Sequence, residues 1–313
     1  MKRVLCFILA VLVVFSLSAC GEKKTSDNNK SDDSKKQENN AESISGNNDN
    51  TGGSNENKED DLEISFSEVV VVDNTECLIK ITEIDPNNMW GFTLKAQLEN
   101  KSTTKNYMFS VETASINGVE CDPYFAAKVA AGKKANEEIS FSDEIEEYGI
   151  GAYTDIELFF RVYDSDDWSA DAVAETSIHI YPYGVDKAAK FVRETKPTDN
   201  VLVDNEYVTV IVTGYEDDEI WGYTANLYYI NKTNKNLMIS ADDVSVNGYM
   251  ADPFYAQVVS AGKCAFGSMS WDDTTLEDNG IVDIEKIEFK LRVYDDDDWS
   301  GDDFVNKTVT LNP

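Results

Sequence analysis

Ile156-Glu157-Leu158-Phe159-Phe160-Arg161-Val162-Tyr163-Asp164 sets an apolar side chain at every second position, and Ile287-Glu288-Phe289-Lys290-Leu291-Arg292-Val293-Tyr294-Asp295 does the same. Successive side chains of a strand point to opposite faces, so period two means one buried face and one wet face. Phe92, Leu94, Ala96 and Leu98 alternate in this way, as do Tyr223, Ala225, Leu227 and Tyr229. Thr209 to Val212, Ile178 to Tyr181 and Ile139 to Phe141 add short β-branched or aromatic runs. Asn117-Gly118 and Asn247-Gly248 are turn dipeptides that accept the two positive φ angles of a type I′ hairpin.

These segments belong to a long internal repeat at a separation of 130 to 131 residues. Val72-Asp73-Asn74 recurs as Val203-Asp204-Asn205, Trp90-Gly91 as Trp221-Gly222, and Asn100-Lys101 as Asn231-Lys232. Asp122-Pro123 returns as Asp252-Pro253, and Ala131-Gly132-Lys133 as Ala261-Gly262-Lys263. Solenoid units run at roughly 20 to 50 residues, so this period is a duplicated domain. The expected fold is all-β: two tandem immunoglobulin-like β-sandwiches over residues 62–182 and 198–313, with a small barrel of similar strand count as the other solution. Residues 183–197 break the pattern. Ala188, Ala189 and Val192 have helix-compatible spacing, which predicts a short helix ending before Pro197, with extended coil as the alternative.

The N-terminus reads as an address. Lys2 and Arg3 precede an apolar run from Val4 to Leu17, too short to span a bilayer comfortably, which is the pattern of a secretory signal over residues 1–19. Leu17-Ser18-Ala19-Cys20 matches a lipobox. It implies lipidation of Cys20 and attachment to the extracytoplasmic face of the cell membrane. Residues 20–61 are almost wholly polar and too poor in apolar side chains to offset their ordering entropy, so a disordered tether is expected there. As a flexible coil it would reach on the order of 35 Å.

The whole chain has 313 residues and a formal charge of −32. Residues 62–313 carry 19 Lys+Arg against 48 Asp+Glu, a net of −29. Such a surface repels phosphate and excludes a nucleic-acid groove.

The lipobox, the Asn/Asp-rich tether and the Trp-Gly, Asn-Lys, Asn-Gly, Ala-Gly-Lys and Arg-Val-Tyr-Asp series together resemble surface lipoproteins of Gram-positive gut Firmicutes. The domains of those proteins are similar to the immunoglobulin-like sandwich of telokin-like secreted proteins. The resemblance implies the same fold here and brings no catalytic residue with it.

The residues themselves restrict the chemistry. His179, the sole histidine, lies between Ile178 and Ile180 on the opposite face of an alternating strand. A zinc site or a Ser-His-Asp triad therefore lacks its usual parts. Cys77 and Cys121 both lie in the first copy, and both counterparts, Val208 and Ala251, are not cysteine. Their joint occurrence suggests a disulfide, against which stands a pair of separately buried thiols. Cys264 would be free.

Two loops concentrate acid. Asp164, Asp166, Asp167 and Asp171 in the first copy, and Asp295, Asp297, Asp298 and Asp302 in the second, could offer hard oxygen ligands to Ca²⁺ as a cofactor. The other reading is a solvated loop whose Trp168 or Trp299 folds back as a plug on the core. Trp90, Trp168, Trp221 and Trp299 flank turns, and aromatic faces beside carboxylates can grip sugars or peptides, although core or rim packing competes for them. The function these features imply is non-catalytic recognition or scaffolding of an envelope glycan, peptide or protein by a membrane-anchored surface lipoprotein. A transporter's substrate-binding lipoprotein is the alternative, disfavoured by the lack of βαβ alternation. A carboxylate hydrolase is third.

Overall fold

The alternating segments form strands, in a computed structural model that describes residues 62–141, 148–218 and 220–313. The expected signal, the lipidation site Cys20 and the tether lie outside the described residues. Among the described residues no helix is long and apolar enough to cross a membrane.

In the first copy the strands are β1 (Val69–Asp73), β2 (Cys77–Asn88), β3 (Gly91–Asn100), β4 (Tyr107–Ile116), β5 (Val119–Cys121), β6 (Ala126–Val129), β7 (Lys134–Phe141), β8 (Ile156–Asp164) and β9 (Ala174–Ile180). The second copy repeats them as β10 (Asn200–Asp204), β11 (Val208–Asp218), β12 (Gly222–Asn231), β13 (Leu237–Val246), β14 (Tyr249–Met250), β15 (Gln257–Val259), β16 (Cys264–Trp271), β17 (Ile287–Asp295) and β18 (Val305–Leu311). In the second copy a one-and-a-half-turn helix, α1 (Asp273–Asp278), follows β16, capped by the Asp272 carboxylate on the Thr275 N–H. The protein is thus an all-β sandwich structure.

One sheet runs β1-β2-β3-β7, and another runs β14-β13-β17-β18, with β15 also on β13. A third, nine-stranded sheet draws on both copies and runs β10-β11-β12-β16-β5-β4-β8-β9, with β6 on β4. It is continuous because β16 pairs in parallel with β5, at Cys264 and Val119. Each copy keeps its own core. Ile156, Leu158, Phe160 and Val162 are all within 1% of full burial, and Ile287, Phe289, Leu291 and Val293 within 2%. The strand register repeats down to its irregularities, since β1 and β10 are both bulged against their neighbours at the same place, Val70/Val72 and Val201/Val203.

The repeated polar motifs are structural stitches. Asn100 is fully buried, and its Nδ2 donates to the carbonyls of Lys105 at 2.8 Å and Val129 at 2.9 Å. Asn231 does the same for Lys235 at 2.7 Å and Val259 at 2.9 Å. Buried carbonyls need such partners because desolvating them unpaired is costly. Asn74 and Asn205 each accept two backbone N–H groups at 2.8 Å, closing the turns that enter β2 and β11. Asn117 and Gly118 have φ of 53° and 83°, and Asn247 and Gly248 of 50° and 86°, as the hairpin reading required.

The connection between the copies departs from expectation. Only Val185–Lys187 makes a single 3-10 turn, and residues 188–198 are not helical. Tertiary contacts outweigh the local helix spacing there. The Phe191 N–H donates to the Asn117 carbonyl at 2.8 Å, and Ala189 to Thr154 Oγ1 at 3.1 Å. Arg193 is held bidentately by Asp199 at 2.8 Å while its guanidinium lies 5.6 Å from the centre of the Tyr228 ring. The described residues of both copies accordingly belong to one compact unit.

Candidate functional site

The Trp-Gly motif sits at the tip of a long hairpin in each copy. In the first, Asn88 Oδ1 accepts the Trp90 N–H at 3.0 Å and Gly91 follows with φ +93°. In the second, Asp218 Oδ1 accepts the N–H groups of Ile220 at 2.7 Å and Trp221 at 2.8 Å. Those two donors hold the Asp218 carboxyl below its ordinary range. Gly222 follows with φ +74°, where a Cβ would come within 2.3 Å of the Trp271 carbonyl oxygen. Both turns therefore present their tryptophan on a pinned backbone.

The presented side chains are exposed. Trp90 keeps 67% of its surface and Trp221 52%, beside Met89 and Ile220, which are more open still. A second aromatic comes from the Asp-Pro motif, Tyr124 in one copy and Phe254 in the other. Tyr124 has φ +49° and donates its N–H to Asp122 Oδ1 at 2.7 Å. Phe254 is bridged to Ser270 by its N–H at 2.7 Å and lies nearly parallel to Trp221, with centroids 5.4 Å apart.

The acidic loops occupy the opposite pole, at the ends of β8 and β17. Trp168 and Trp299 are 74% and 76% exposed, so the plug reading is overturned. Each loop closes on itself through two successive turns, Asp167 to Asp164 and Ala170 to Asp167 in the first, Asp298 to Asp295 and Gly301 to Asp298 in the second. That closure turns the indole outward.

Five of the eight carboxylates are already engaged. Asp164 lies 3.3 Å from Lys105 Nζ, and Asp166 lies 3.2 Å from Lys128 Nζ while accepting from Asn106 at 3.3 Å. Asp167 accepts the Ser169 hydroxyl at 2.7 Å, and Asp298 that of Ser300 at 3.0 Å. Asp295 pairs with Lys235 at 2.5 Å. Lys128 and Lys235 hold the carboxyls of Asp166 and Asp295 below their usual range. Among the described residues no group of three or more His, Cys, Asp or Glu side chains is arranged to hold a metal ion. The calcium site expected on Asp164, Asp166, Asp167 and Asp171, and on Asp295, Asp297, Asp298 and Asp302, is not assembled among the described residues: lysines and local turns take oxygens of Asp164, Asp166, Asp167, Asp295 and Asp298.

The expected disulfide is also absent: Cys77, Cys121 and Cys264 are free thiols. Cys77 begins β2 at the acidic-loop pole, paired with Asn100, beside Glu76, whose carboxylate accepts the Tyr107 hydroxyl at 2.5 Å. Cys121 pairs with Ala114, seven residues further along β4 than Tyr107. At roughly 3.3 Å per strand residue that is about 23 Å, far beyond the Cα separation of about 7 Å that a disulfide tolerates. Burial pushes the Cys77 thiol up to about 11 and that of Cys121 up to about 12.

His179 is a half-exposed surface residue, as its strand position required. Its Nδ1 lies 2.7 Å from Asp155 and its ring stacks on Tyr181 with centroids 5.7 Å apart. The feature sequence reasoning missed is the joint itself. The Cys264 N–H donates to the Gly118 carbonyl at 2.9 Å, the Ser260 N–H to Glu120 at 2.7 Å, and Lys263 pairs with Glu157. Phe266 is wedged among Tyr148, stacked at 3.8 Å, Tyr228 at 4.8 Å and Phe191 at 6.0 Å. A cavity of about 720 Å³ opens beside it, lined in part by Tyr148, Arg193, Lys196 and Glu216. The counterparts of Tyr228 and Phe266 are Gln97 and Asn136, and that break in the repeat was the available signal.

No protein-family model matches this chain, and no curated protein matches it. Among solved structures it is similar to the YadV chaperone, at 10% identity over 75% of this chain and all of that one, with a TM-score of 0.23. It is also similar to red sea bream transglutaminase, at 12% identity over 71% of this chain and 28% of that one, with a TM-score of 0.19. At such scores neither likeness bears on what this chain does.

Proposed function

We propose that this is a lipid-anchored surface protein of the bacterial envelope, made of two immunoglobulin-like sandwiches, that recognises an envelope glycan, peptide or protein without catalysis. The observation that carries the reading is the exposure of Trp90, Trp168, Trp221 and Trp299 at equivalent positions of the two copies. A tryptophan left in water on a pinned turn contributes little to folding, and pre-organised aromatic side chains are the residues that anchor binding surfaces. The continuous sheet supports the reading further. It fixes the spacing of the Trp90 and Trp221 sites, so a repetitive partner of matching period gains avidity without new contacts. The extracytoplasmic address rests on the signal and on Cys20.

The test is binding of the soluble chain to arrays of envelope glycans, peptidoglycan fragments and peptides. Replacing Trp90 and Trp221 by Ala is expected to weaken the captured ligand by about 30-fold or more, the size of a hot-spot loss. Unchanged binding in that variant and in Trp168→Ala/Trp299→Ala would remove the aromatic reading. Retention of a Cys20→Ala protein on membranes would remove the anchor.

A further inference from the structure

The joint has an acceptor side and a donor side, and the two ends of the molecule carry another of each. On the acceptor side are the Gly118 carbonyl at the Asn117-Gly118 turn and the Glu157 carboxylate. On the donor side are the Cys264 N–H, at the start of β16, and Lys263. At the far end of the second copy, the Asn247-Gly248 turn has the same pair of positive φ angles, and Glu288 takes on β17 the place that Glu157 has on β8. Glu288 pairs there at 2.8 Å with the exposed Lys286, which Lys133 of another molecule would have to displace or join. β14, which follows that turn, is the last strand of its sheet. At the far end of the first copy, Lys133 and Lys134 stand where Lys263 and Cys264 do, at the start of β7, again the last strand of a sheet.

The free acceptor end is also apolar. Tyr249, Met250 and Val282 are 54%, 64% and 91% exposed near the Asn247 turn, whereas Val119, the counterpart of Tyr249, is fully buried in the joint. Lys133 is exposed where Lys263 is half-buried. The first copy's turn end is thus covered by the second copy, and the equivalent apolar surface on the second copy is exposed.

We propose that a second copy of this chain covers it, with the start of β7 in one molecule set against β14 of the next and Lys133 paired with Glu288. Such a contact joins different surfaces of identical molecules, so it propagates from molecule to molecule, into a ring where the rotation closes and an open string where it does not. Gln97 and Asn136 replace the aromatic seat of Tyr228 and Phe266, which makes this contact weaker than the internal joint and reversible. The net −29 of residues 62–313 in each molecule is screened beyond about 8 Å at physiological salt, while a contact ion pair is screened much less.

The experiment mixes isotopically light and heavy full chains, joins touching Lys and carboxylate side chains with a zero-length carbodiimide, and follows mass by sedimentation. The expected result is a sedimentation coefficient that rises with concentration and a Lys133–Glu288 cross-link of which half is mixed light and heavy. Lys133→Glu is expected to abolish both, and Lys133→Glu/Glu288→Lys to restore association. Circular dichroism checks that the variants, both at exposed or half-exposed sites, remain folded. A monomer at every concentration overturns the proposal and leaves the apolar end to an unrelated protein. Association that survives Lys133→Glu overturns this interface.

Discussion

Glu157 of β8 and Lys263, just before β16, form an ion pair across 106 residues of sequence, with each side chain no more than 25% exposed. The pair closes the flank of the joint next to the Cys264 to Gly118 hydrogen bond, so it bears on whether the copies unfold together. Losing one member of a half-buried, hydrogen-bonded pair costs about 1.5–3 kcal/mol, of which part is solvent-screened. Lys263→Ala is expected to lower the melting temperature and to split a single calorimetric transition into two. Glu157→Ala should do the same, and the double variant should be no worse than either single one, as residues in contact are not additive.

Free, buried thiols make stability fall in alkali. Below pH 9, the ordinary value, the thiol of Cys77 is neutral in folded and unfolded chains alike. Above it the unfolded chain ionises while the folded one does not until about 11, so stability is lost as pH rises through that window. The loss is about 2–3 kcal/mol for this residue. Urea titrations at pH 8 and 10.5 should show the drop, and Cys77→Ala should flatten its slope. Alkylation in denaturant without reductant should label Cys77, Cys121 and Cys264 fully, and a lack of labelling at Cys77 and Cys121 would restore the disulfide.

Two glycines with positive φ should behave differently. Gly118 has φ +83° and open space where an alanine methyl group would sit, so Gly118→Ala meets backbone strain alone, about 1–2 kcal/mol. Gly222→Ala adds a collision with the Trp271 carbonyl, and the hairpin that presents Trp221 must shift. Thermal melts are expected to place Gly222→Ala well below Gly118→Ala, and chemical-shift changes should spread to the Trp221 indole in Gly222→Ala alone.

What could be read beforehand was whatever repeats with a local period. Alternation placed Ile156, Leu158, Phe160 and Val162 in the core, and the Asn-Gly dipeptides placed the hairpins, because strand pleat and turn φ are properties of a few adjacent residues. The direction of Trp168 and Trp299 was not local in that sense. It depends on two turns closing over Asp164 and Asp295, and amphipathic composition alone suggested a plug. The Cys77/Cys121 pairing rested on joint absence from the second copy, which holds no distance information. The linker misled for the opposite reason: Ala188, Ala189 and Val192 do have helical spacing, but Asn117, Thr154 and Asp199 offer extended backbone better partners.

The repeated asparagines offer a sharper contrast between motif and role. Asn100-Lys101-Ser102 and Asn231-Lys232-Thr233 have the form of glycosylation sequons, yet both amides are buried donors to carbonyls. Asn231→Ala leaves several buried carbonyls without their donor and should cost about 2–3 kcal/mol in a urea melt. Neither side chain should accept a sugar in folded protein.

The five tryptophans divide into two kinds. Trp271 is fully buried at the end of β16 and donates its indole N–H to the Ala251 carbonyl at 2.9 Å. Trp90, Trp168, Trp221 and Trp299 are at least half exposed. Trp271→Ala removes a large core side chain and its hydrogen bond, for which about 3–5 kcal/mol is expected. Trp168→Ala and Trp299→Ala should shift stability by no more than about 0.5 kcal/mol, as surface substitutions do. Acrylamide quenching of the native protein should reach four fluorophores and spare one, and Trp271→Phe should remove the protected fraction. If Trp168 or Trp299 proved as protected as Trp271, the loops would be folded onto the core, and these indoles could not serve as a recognition surface.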